Sequence, residues 1–125
     1  MFDFTFEDET GILRVTIFGA WTASEVHRFG HDAESRFAGA RAKVGHLRML
    51  IDCSRGFVCP QELVEPLADA GLQYARHDDR VALVVTSSLM KIQIKRMMGN
   101  APSNMFISDN AARMWLLAHV RDVAA

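Results

Sequence analysis

Residues 81–85, Val-Ala-Leu-Val-Val, are apolar at every position. A strand with one wet face alternates in polarity, whereas one that is apolar on both faces needs cover on both. That is the situation of a central parallel strand between layers of helices. Parallel neighbours require long crossover connections, usually helical. This short run therefore restricts the chain to an α/β architecture. A second apolar run, Leu47, Met49, Leu50 and Ile51, stops at Asp52. A loop with Ser54, Arg55 and Gly56 follows, and a helix is expected from Pro60, because proline at a first helical position forfeits no amide bond. Open α/β folds place their working surface outside the carboxyl ends of the strands. The segment 52–62 is thus where a site is expected.

The other elements fall into place around these two strands. Phe2, Phe4 and Phe6 alternate with Asp3, Thr5 and Glu7, the period-2 pattern of a half-buried strand. Asp8 to Gly11 is turn chemistry. Alternation resumes over 12–18, with Leu13, Val15 and Ile17 on one face and Arg14 and Thr16 on the other, which predicts an antiparallel hairpin. Thr22 and Glu25 form a capping box at a helix start. Val26, Phe29, Gly30, Ala33 and Phe37 then make one apolar stripe. A second helix is expected over 60–77, with Leu63 and Leu67 inward, and a third over 88–98, closed by Gly99. Residues 104–107 read as a fifth strand, and Ser108 or Asp109 caps a last helix. The order β-β-α-β-α-β-α-β-α predicts an α/β domain spanning 1–125, with a five-stranded mixed sheet and about four helices.

Charge excludes some functions. With 14 Lys and Arg against 15 Asp and Glu, the net charge is -1, so no global field recruits nucleic acid. No apolar run is long enough to span a bilayer, and no signal-peptide pattern opens the chain. The expected location is cytoplasmic. Cys53 and Cys59 are too few for a disulfide framework and lack the spacing of a redox pair. Cys53 shares the buried strand face of Met49 and Ile51, and Cys59 reads as a partly exposed thiol beside a helix start. His27, His31 and Glu34 share one side of the first helix, a spacing two imidazoles and a carboxylate would need to hold a metal. They also flank its apolar stripe and read as a wetted edge. No cofactor, metal site or catalytic residue is assigned.

The element order, the phrase Leu50-Ile51-Asp52-Cys53-Ser54 and the ending Ala111-x-x-x-Trp115-Leu116 resemble the STAS domains of bacterial anti-sigma-factor antagonists. The chain is more similar still to SpoIIAA-like proteins, which overlap in fold with Sec14-type lipid-binding modules. The resemblance implies a SpoIIAA-like fold and a non-enzymatic interaction or regulatory role. In the antagonists a serine at the start of the following helix is phosphorylated. Here the matching tetrapeptide is Pro60-Gln61-Glu62-Leu63, and Gln61 has no hydroxyl, so that phosphoserine switch is not expected.

Contact residues are expected in two places. One is the loop and helix start: Asp52, Ser54, Arg55, Cys59 and Gln61, with Arg55 a ready anion ligand. The other is the third helix. Leu89 and Ile92 point to one side, and a second stripe of Met90, Ile94 and Met97, extended by Met98, exceeds what a surface helix needs. That surplus predicts a protein contact, most simply in a homodimer, or a wall over an apolar ligand. The partner readings are thus an unidentified protein, a second copy, or a lipophilic small molecule carried or sensed. A thiol-dependent enzyme is the remaining alternative.

Overall fold

The computed structural model describes residues 1–72, 76, 79–98 and 103–124, without the side chains of 71–72, 97–98 and 119–124. Its elements are β1 (Phe2–Glu7), β2 (Ile12–Ile17), β3 (Gly19–Ala20), α1 (Ala23–Val44), β4 (Arg48–Asp52), β5 (Phe57–Val58), α2 (Gln61–Leu72), β6 (Arg80–Val84), α3 (Ser88–Met98), β7 (Ser103–Phe106) and α4 (Asp109–Ala124). Five strands form one mixed sheet in the order β1-β2-β4-β6-β7. The β1–β2 pair is the antiparallel hairpin, and β2, β4, β6 and β7 run parallel. Gly11 takes φ 74° in the hairpin turn, a conformation open to glycine at no steric cost. The expected end of α2 towards residue 77 and the expected stop at Gly99 lie outside the described residues.

Alternation along the strands sorts two cores. Leu13, Val15, Met49, Val81 and Leu83 face α1, α2 and α3 in the larger one. Ile12, Leu50, Ala82 and Val84 face α4, meeting Ala112 and Leu116. The apolar stripe of α1 buries Val26, Phe29, Ala33 and Phe37 as its spacing requires. Thr22 caps the helix, its Oγ accepting the Glu25 amide at 3.3 Å. Phe2, Phe4, Trp21, Phe29 and Phe57 form an aromatic group with ring centroids 5.4–5.8 Å apart, mostly in the tilted and edge-on arrangements that the ring quadrupole favours.

One feature of the fold is absent from the sequence reading. Strands β3 and β5 form a separate parallel pair of two residues each. Gly19 donates its amide to the Gly56 carbonyl at 2.8 Å and Trp21 to Val58 at 3.0 Å. This pairing ties the loop after β4 to the segment leading into α1.

Candidate functional site

The carboxyl ends of β4, β6 and β7 and the segments that leave them form the candidate surface. Asp52 closes β4 and is nearly buried. Its Oδ1 accepts from the Ser54 amide at 2.9 Å and from Ser54 Oγ at 2.5 Å, which fixes the turn in the way short polar side chains commonly do. Its Oδ2 accepts from Arg14 at 2.9 Å. Of the expected cluster, Asp52 and Ser54 come together. Arg55 does not join them: its guanidinium lies over the Phe18 ring, 4.2 Å from the centroid, a cation–π contact. Arg55 is therefore outside reach of the Asp52 carboxylate, and Arg14 from β2 takes its place.

Arg14 opens onto a network that the sequence does not announce, because its members are far apart in the chain. It reaches Asp109 at 2.5 Å as well as Asp52. Asp109 also accepts from Arg113 Nε at 2.7 Å, and Arg113 grips both oxygens of Glu7 in a bidentate pair. Thr10 donates a further bond to Glu7. The Arg113 bond holds the Glu7 carboxyl below its ordinary range. Burial would raise Asp109, but the bonds from Arg14 and Arg113 outweigh it and lower that group too. Contact with Glu7 and Asp109 raises the Arg113 guanidinium further. Five charged groups thus join the hairpin, the end of β4 and the start of α4. Ser108 is the cap of α4, accepting the Ala111 amide at 3.2 Å, which leaves Asp109 free for the arginines.

Three expected contact residues are corrected. Cys59 is buried, not partly exposed, because β5 pairs with β3 and turns the residue after Val58 into the main core. Its thiol is raised by burial and by Glu62, the opposite of an activated nucleophile. Met90 and Ile94 are 8% and 2% exposed and pack in the main core. The stripe expected to be spare is the one that seats α3 on the sheet. The outward side chains are Leu89 at 69% and Ile92 at 52% exposure. Two apolar stripes of similar size leave periodicity undecided, and contact with the sheet selects the one that carries Met90 and Ile94. The side chains of Met97 and Met98 lie outside the described residues. Gln61 stands exposed at the first position of α2. Cys53 is fully buried as expected, and its thiol is pushed up to about 12, mainly by burial with Asp52 adding to it.

Two concavities flank these elements. At the ends of β6 and β7 lies a depression of about 210 Å³, with Thr86, Ser87, Ser88 and Lys91 on one wall and Phe106 and Ile107 on the other. Ser87 caps α3 there, its Oγ accepting the Met90 amide at 3.1 Å. Between α1 and α2 runs an open groove of about 480 Å³, lined by Val26, His27, His31, Pro66 and Asp69 among others. Gly30 and Ala70 let the two helices approach at its floor, where a Cβ on Gly30 would stand 3.1 Å from that of Ala70. Among the described residues no three His, Cys, Asp or Glu side chains are placed to hold a metal. His27, His31 and Glu34 lie exposed along α1. Among the described residues no helix is long and apolar enough to cross a membrane.

No protein-family model and no curated protein matches the sequence. Among solved structures, the chain is similar to an uncharacterised protein of the DUF3478 family with a SpoIIAA-like fold from Shewanella loihica PV-4. The two share 18% identity at a TM-score of 0.66, over 93% of this chain and 92% of the other. The fold is therefore SpoIIAA-like, an α/β domain with a five-stranded mixed sheet and four helices, as the element order led one to expect.

Proposed function

We propose that this chain is a non-enzymatic interaction module of the SpoIIAA-like type, which binds a protein partner through the rim at the carboxyl ends of its parallel strands. The observation that carries the reading is the set of aliphatic side chains held out at that rim. Val58 follows the β4 loop, Leu89 opens α3, and Ile107, at 85% exposure, follows β7. Lys91 and three hydroxyls border the depression beside Ile107. Apolar anchors framed by polar groups are the usual anatomy of a protein contact. The depression is smaller than the roughly 300–1,000 Å³ of small-molecule sites, and the larger groove between α1 and α2 lies open and does not enclose a ligand. Met90 and Ile94 occupy the space beneath α3, which favours a protein partner over an enclosed lipophile. Both thiols are raised, not lowered, which speaks against the thiol-enzyme alternative. Gln61 at the start of α2 gives the module no hydroxyl at the position of the antagonists' phosphoserine.

A photo-crosslinking amino acid placed at Ile107, and in a separate variant at exposed Arg36 on α1, tests the reading in cells. Discrete protein adducts at Ile107, absent at Arg36 and lost on Lys91→Glu, are expected. Equal adducts at both positions, or adducts at Ile107 whose mass is that of a lipid, would overturn it.

A further inference from the structure

We infer that two copies of this chain associate through the outward faces of α2 and α3, the α3 of each copy lying over the α2 of the other. The two helices sit side by side on the same face of the sheet, seated in one core by Leu67 and by Met90 and Ile94. Their outward charges are segregated. Glu62, Glu65 and Asp69 are exposed on α2, a helix without Lys or Arg. With 3.6 residues per turn they fall within an arc of about 60°. Lys91, Lys95 and Arg96 are exposed on α3, a helix without Asp or Glu, and Ile92 lies between Lys95 and Arg96 on the outward side. None of these six charged groups makes an ion pair among the described residues.

Helix dipoles account for part of the pattern only. An acid in the first turn and cations in the last turn are favoured, which covers Glu62, Lys95 and Arg96. Glu65, Asp69 and Lys91 gain nothing from it. An acidic stripe beside a basic stripe is complementary to itself under a two-fold axis parallel to the helices, the commonest oligomer symmetry. An axis across the helices would set acid on acid. A flat anionic membrane would attract α3 but repel α2 next to it, so a second copy fits this face better than a lipid surface. Leu89 and Ile92 supply the apolar centre. Helices of 12 and 11 residues at the usual spacing cover on the order of 300–400 Å² in plan. That is below the roughly 800 Å² per partner of a standard interface, so the dimer is weak, reversible and strongly screened by salt.

Sedimentation velocity over roughly 10–500 µM protein, at about 0.05 and 0.5 M salt, reads this directly. A concentration-dependent dimer is expected, with Kd rising at least about tenfold at the higher salt. Ile92→Asp should weaken it by at least about tenfold while leaving thermal melting unchanged. One chain carrying Lys95→Glu and Arg96→Glu, and another carrying Glu65→Lys and Asp69→Lys, should each remain monomeric and combine when mixed. A wild-type chain that stays monomeric at low salt would overturn the inference, as would swapped chains that fail to combine or a dimer indifferent to salt. Monomer that cosediments with phosphatidylglycerol vesicles would also overturn it, giving the face to a membrane. Leu89 and Lys91 border both surfaces, so adduct mass separates the two readings. An Ile107 adduct of twice the chain mass belongs to this dimer, whereas an adduct with a different protein belongs to the rim and is unaffected if the charge-swapped chains fail to combine.

Discussion

Asp79 has no accessible surface, yet it is a carboxylate. Its oxygens accept the amides of Leu47 at 3.1 Å and Arg76 at 2.7 Å, and they pair with Arg41 on α1. Losing one member of a buried, hydrogen-bonded ion pair leaves the other charge uncompensated. Asp79→Asn should therefore cost about 3 kcal/mol or more, read as a lower urea midpoint at an unchanged slope. A loss within the range of a surface substitution would mean that Arg41 finds equal company elsewhere. The role of Asp79 was not legible in the sequence, because two of its three partners, Leu47 and Arg41, lie 32 and 38 residues away. Cys53 was legible, since its place on the buried strand face follows from alternation alone. Arg14 was half legible: period-2 patterning put it on the polar face of β2, but nothing local points to Asp52 or Asp109.

At the scale of elements, α2 carries a residue ill suited to a helix interior. Pro66 stands inside the helix, exposed to solvent, where it removes an amide donor and crowds the preceding turn. Pro66→Ala should stabilise the chain by about 2–2.5 kcal/mol, the helix-interior penalty of about 3 kcal/mol less about 0.5–1 kcal/mol given back through the freer unfolded chain. Calorimetry should show a higher Tm. A lower one would mean that the pyrrolidine ring packs usefully against the α1 groove. Long periodic elements were readable from sequence: the hairpin, the stripe of α1, and the β6 run with its two dry faces. The β3–β5 pair was not, because two residues carry no period and only contact with each other defines them. The facing of α3 was not readable either, since both of its stripes satisfy helical spacing and the choice belongs to the sheet beneath.

For the molecule as a whole, the charged network at the start of α4 couples stability to pH. The folded-state values of Glu7 and Asp109 are depressed, so the unfolded chain binds more protons between the folded and unfolded values. Stability from these groups is fully present above the ordinary carboxylate range of about 4, and it is lost as pH falls through the lower folded values. Glu7→Gln should flatten this acid limb of a stability-against-pH curve while changing its slope little above about pH 6. An acid limb identical to that of the wild type would show that the network contributes nothing to it. The sheet that this network braces ends in two unequal margins. One is β7, only four residues long, and the other is β1, whose outward-facing Asp3, Thr5 and Glu7 alternate with the phenylalanines of the core. If two β1 strands from separate molecules paired antiparallel about Thr5, each exposed Asp3 carboxylate would have to enter the junction, and charged side chains on an edge strand discourage such pairing. Short length guards one margin and carboxylates guard the other, so the sheet resists growth into filaments.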